Sequence, residues 1–142
     1  MKITEVIVNL VTINESVDSG KPTLEDILKE TLPYIKQVLK LDSLPKIIFR
    51  NRVPDDEQPT FGRYENGAHI IYLATKGRHP LDVLRTLAHE LVHYKQDTLN
   101  MLDSHSGDTG SPIENQAHAV AGVIMRHINK KHPNFFSADP VQ

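Results

Sequence analysis

The chain has 142 residues, 39% apolar and 24% charged, which is room for one packed core and too little for two independent ones. Sixteen basic against eighteen acidic side chains leave no electrostatic footprint for nucleic acid, and no apolar run is long enough to span a bilayer. With no cysteine, disulfides and thiolate metal sites are both excluded, so any metal must be held by His, Asp and Glu.

The first segment, 3–13 (ITEVIVNLVTI), is rich in β-branched residues and reads as a strand. It does not read as a secretory signal, because Asn9 and Thr12 interrupt its apolar run and no small-residue cleavage site follows. A cytoplasmic location is therefore expected. After a turn-rich loop, Thr23 opens a helix over 23–40, with Asp26 three residues on in the manner of a capping box. Leu24, Ile27, Leu28, Leu32, Ile35, Val38 and Leu39 give it one apolar face, and Pro33 lies inside the pattern as a candidate kink.

A short buried strand is expected at 46–50 (KIIFR), followed by a polar, proline-punctuated loop. Segments 60–64 and 68–74 flank Asn66-Gly67 and predict a hairpin. In that reading His69 sits in an alternating strand as a surface or packing residue. His79-Pro80 starts a helix over 80–98, with proline at its tolerated first position. A polar loop leads to a last helix over 112–131, where Arg126, His127, Lys130, Lys131 and His132 complement the macrodipole at its end. Residues 131–142 show no periodicity and are expected to form a loose tail of a single domain.

Chemistry concentrates in the last two helices. His89 and His93 are four residues apart in LAHELVHYKQ (87–96), so on a helix their rings leave one face about one turn apart. That spacing lets two imidazoles reach one metal ion, at roughly 2.0–2.1 Å each for zinc. Glu90 is about 100° round the helix, beside such an ion without pointing at it, where a carboxylate can take a proton from water. This is the H-E-x-x-H arrangement of metal-assisted hydrolysis. A solvated helix face is the bland alternative. Against it, Leu84, Leu87, Ala88, Leu91 and Val92 form a stripe that buries the helix, and polar groups beside such a stripe need partners.

Catalytic zinc usually takes three protein ligands and keeps a position for water. Gln96 and Leu99 stand where the metzincin pattern needs glycine and histidine, which excludes that continuation. Glu114, early in the last helix, is the leading third ligand, with His118 and His105 as rivals. Ser111-Pro112-Ile113-Glu114 is also a capping box, so the helix N-terminus competes for the same carboxylate.

With TLAHELVHYKQ (86–96) and GSPIENQAH (110–118) in hand, the chain resembles a small gluzincin-type zinc metallopeptidase, similar to the minigluzincins. The resemblance covers about residues 60–130. It implies a zincin-like α+β fold, one zinc on His89, His93 and Glu114, and Glu90 as general base and proton shuttle. It also implies a protein or peptide substrate, extended by strand addition along 68–73 as edge strand. Larger gluzincins often have an aspartate where this sequence has His118, which puts the support of the ligand histidines in question. Asn115 is a candidate for orienting the ligands, and Tyr64, Tyr94, His105 and His118 are candidates for stabilising a developing oxyanion.

The expected architecture is a small twisted mixed sheet from 3–13, 46–50, 60–64 and 68–74, packed on helices 23–40 and 80–98. Helix 112–131 closes the site from the other side. Two rivals share the same ligands: a zinc hydrolase acting on a non-peptide amide or cell-wall crosslink, and a catalytically silent module that zinc stabilises. A purely structural site gives no reason for the non-ligating Glu90, which favours an enzyme.

Overall fold

A computed structural model describes residues 20–53, 60–104, 106 and 108–142. The strand expected at 3–13 and His105 lie outside the described residues. Among these residues, three helices and three strands follow in chain order: α1 (Leu24–Val38), β1 (Lys46–Arg50), β2 (Gly62–Glu65), β3 (Ile70–Ala74), α2 (Pro80–Thr98) and α3 (Pro112–Lys131), then a 3-10 turn at Pro133–Ser137. The fold is α+β, as expected. None of the described helices is long and apolar enough to cross a membrane.

Capping chemistry sets the helix starts. At α1 the Thr23 hydroxyl accepts from the Asp26 N–H while the Asp26 carboxylate accepts from the Thr23 N–H, a reciprocal box. α1 runs through Pro33 as one helix. At α2 the His79 ring nitrogen Nδ1 accepts from the Leu81 N–H at 3.0 Å, and Pro80 costs no bond at the first helical position.

The sheet has the order β1-β3-β2, with β1 parallel and β2 antiparallel to β3. The hairpin expected around Asn66-Gly67 is present, but its turn is longer than two residues. The Glu65 carbonyl accepts from the His69 N–H at 2.9 Å, and Gly67 and His69 both take positive φ, +63° and +56°. His69 therefore lies in the turn and not in an alternating strand. The sheet order also corrects the expected substrate edge: β3 is the central strand, paired on both sides. Among the described residues β2 is the free edge beside the helices.

Period-2 burial in β3 turns Ile71 and Leu73 into the core, where they meet Leu84, Leu87 and Leu91 of α2 and Ile27, Leu28, Leu32 and Ile35 of α1. From α3, Ile124 and Met125 close the same core. All these side chains are nearly or fully buried, each worth about 1.5–3 kcal/mol relative to exposure. α2 is thus held by apolar packing on several sides, which makes it a rigid base for whatever its remaining face carries.

The C-terminal residues are not a loose tail. Phe135, Ala138 and Val141 are buried in the core cluster. The Val141 N–H donates to the Arg78 carbonyl at 2.8 Å, and its carbonyl accepts from the Gly77 N–H at 2.7 Å. This pairing joins chain segments far apart in sequence, so no local pattern announces it.

Candidate metal centre

The buried stripe of α2 leaves His89 and His93 on a flank that faces the first turns of α3. There Glu114 reaches both: His89 Nε2 lies 2.7 Å from its Oε1 and His93 Nε2 lies 3.1 Å from its Oε2. The two imidazole Nε2 atoms are 3.1 Å apart. Among the described residues this is the His/Asp/Glu group whose ligand atoms converge closely enough to hold a metal ion. Atoms bound to one tetrahedral zinc stand about 3.3 Å apart, close to the spacing here.

The competition for Glu114 resolves by division of labour. Its backbone N–H donates to the Ser111 hydroxyl at 3.1 Å and so forms the helix cap. The Ser111 N–H goes to the Asp108 carbonyl, which leaves the Glu114 carboxylate for the histidines. Of its rivals, His118 lies one turn further along α3, with its side chain 70% exposed and Nε2 3.5 Å from Glu114 Oε1. Its ring packs against His89 with centroids 4.6 Å apart.

The hydrogen-bond pattern around His93 fits a cation. Gln96 uses its amide nitrogen to donate to the Ile113 carbonyl at 3.1 Å and to Gln116 Oε1 at 2.8 Å. Its oxygen therefore faces His93 Nδ1, 2.8 Å away, and that nitrogen must be the donor. A neutral imidazole protonated at Nδ1 has a bare lone pair at Nε2. This lone pair points at a carboxylate oxygen and at a second imidazole. One proton on His89 Nε2 can serve only one of these contacts at a time, whereas a cation between the three atoms satisfies them all. Burial, with help from His93, holds His89 below the usual histidine range, which keeps its lone pair available. The donor set of two imidazoles and a carboxylate fits zinc with a position left for water.

Glu90 occupies a separate niche. It is 8% exposed, and the backbone of Tyr64 in β2 lies on its carboxylate's side, a nearby N–H that favours the charged form. Burial, then the charge of Glu114, push its pKa to about 8. β2 comes this close because of Gly62: a Cβ there would stand 2.4 Å from Thr86 Cγ2 and 3.4 Å from Glu90 Cγ. Glycine is required by the approach of strand to helix, not by its φ.

Tyr64, Tyr94 and Asn115 each have a polar partner of their own. The Tyr64 hydroxyl donates to Asp97 Oδ2 at 2.5 Å; burial and this bond both raise its pKa. The Tyr94 hydroxyl is 3.4 Å from Ser43 Oγ, in the connection between α1 and β1. Asn115 donates to the Gly110 carbonyl at 3.2 Å and braces the loop before α3. Sequence reasoning missed three residues here: Gln96, Gly62 and Asp97. A buried glutamine one turn beyond a ligand histidine was the available signal for the first. The other two depend on how β2 crosses α2, which no local spacing records.

No protein-family model, curated protein or solved structure matches this chain.

Proposed function

We propose that the protein is a zinc-dependent metallopeptidase, in which His89, His93 and Glu114 hold the ion and Glu90 moves the proton. The observation that carries this reading is Glu90 itself. A carboxylate that is buried, that is not one of the converging ligands and whose pKa burial drives to about 8 is a cost to the fold. A site serving only to stabilise the chain has no use for it. A hydrolase does, because a general base works best with a pKa near the operating pH.

Zinc, when bound, supplies a Lewis acid for the scissile carbonyl and acidifies water. The chain supplies the rest. Glu90 takes a proton from the attacking water on its carboxylate and returns it to the leaving amine. β2, brought close by Gly62, covers that carboxylate and shields it from solvent. The outer edge of β2 has no strand partner among the described residues and offers main-chain hydrogen bonds to an extended peptide. That edge, in place of 68–73, is the surface that favours a peptide over another amide.

The test is cleavage of an unfolded protein by the zinc-loaded chain and by Glu90→Gln. Cleavage by wild type, with a rate loss of at least about 100-fold in a variant that keeps its zinc, supports the proposal. Equal cleavage by both would remove Glu90 from the chemistry, and no cleavage by either would favour the silent module.

A further inference from the structure

Gln96 is 2% exposed, uncharged, and uses both ends of its amide. One end accepts from His93 Nδ1. The other donates to the Ile113 carbonyl and the Gln116 side chain, which bracket Glu114 in the first turns of α3. A single buried group thus touches one ligand histidine and the turn that carries the ligand carboxylate. Its orientation is not free. Turned over, its oxygen would face the Ile113 backbone carbonyl, an acceptor that cannot reverse, and the bond to it would be lost on a side chain only 2% exposed.

We infer that Gln96 is the positioning residue of the metal centre: it fixes His93 in the Nδ1–H tautomer, so that Nε2 presents its lone pair, and locks α3 in the register that brings Glu114 to the same point. The inference rests on the metal-site reading for its affinity consequence only; the tautomer and the register are properties of the chain itself. Asn115 and His118, the neighbours that would otherwise supply such support, do not reach the far nitrogen of His93: Asn115 binds Gly110 and His118 packs on His89. Partners on the far nitrogen of a ligand histidine typically change metal affinity by about 10–100-fold.

Two variants separate the two ends of the amide. Gln96→Met keeps the volume and removes both. Gln96→Glu keeps an oxygen to accept from His93 Nδ1–H but cannot donate to Ile113 or Gln116. Long-range 1H–15N NMR on histidine-labelled, chelator-treated protein at alkaline pH reads the tautomer. Competition with a chromophoric chelator reads zinc affinity, and far-UV circular dichroism scores folding. We expect His93 protonated at Nδ1 in wild type and Gln96→Glu, and a mixed or inverted tautomer in Gln96→Met with zinc affinity lower by about 10–100-fold. A wild-type His93 protonated at Nε2 would overturn the inference. So would a folded Gln96→Met that keeps the wild-type tautomer, or one that binds zinc within about twofold of wild type. If Gln96→Met does not fold, the wild-type tautomer and Gln96→Glu decide. If wild type binds no zinc, the proposed function fails while the tautomer still tests Gln96.

Discussion

Replacing Glu90 by glutamine should change how the metal-free protein responds to pH. Glu90 titrates at about 8 in the fold against an ordinary 4.5, because burial, and then Glu114, disfavour its charge. Between those two values the folded chain binds more protons at this position than the unfolded chain, so stability falls as pH rises through the window and levels off above about 8. At 1.36 kcal/mol per pH unit, the gap of about 3.5 converts to at most about 5 kcal/mol. Glutamine has the shape of the protonated acid and does not titrate, so the variant escapes this loss. Urea unfolding of both proteins in chelator, from about pH 5 to about pH 9, isolates the effect in their difference. Glu90→Gln should gain on wild type by several kcal/mol across that range. Parallel stability curves for the two would refute the reasoning, since Glu90 would then ionise in the fold as readily as in the open chain.

Gly62→Ala should destabilise the chain by about 1–3 kcal/mol through the collision with Thr86 Cγ2, and adding Thr86→Ser, which removes that methyl but keeps the hydroxyl, should recover most of the loss in thermal unfolding. Phe135→Ala should cost about 3–5 kcal/mol by denaturant titration if the C-terminal residues are core, and close to nothing if they are a loose tail. Tyr64→Phe should lose the bond to Asp97, about 1.5–3 kcal/mol of stability, yet bind zinc as wild type does in chelator competition, because the hydroxyl is committed to Asp97, which is not among the converging ligands.

What could be read from the sequence is what short-range physics encodes. The bounds of α2 and α3 match because His79-Pro80 and Ser111-Pro112 are local start signals and the apolar stripes are periodic. The α+β class followed from those stripes and from the β-branched run of β1. His89 and His93 meet because helical geometry alone puts residues four apart on one face. Glu114 needed one more assumption, that a short loop folds α3 back across α2, and the structure places its carboxylate there. Illegible were the contacts that join distant segments. Val141 pairs with Gly77 and Arg78, so an aperiodic tail proved to be core. The strand order depends on how β1 pairs in parallel across a long connection, and among the described residues it puts β3 in the centre and β1 and β2 at the edges. His69 left its strand because the Asn66-Gly67 turn is longer than the pair suggests. Gln96 stood in the quoted motif, but its role appears only when Ile113 and Gln116 arrive from another helix.

The proposed chemistry depends on the metal. Elemental mass spectrometry of the purified protein, after zinc reconstitution, should find one zinc per chain in wild type and in Glu90→Gln, and its loss in Glu114→Ala. Zinc absent from wild type, or retained in full by Glu114→Ala, would contradict it.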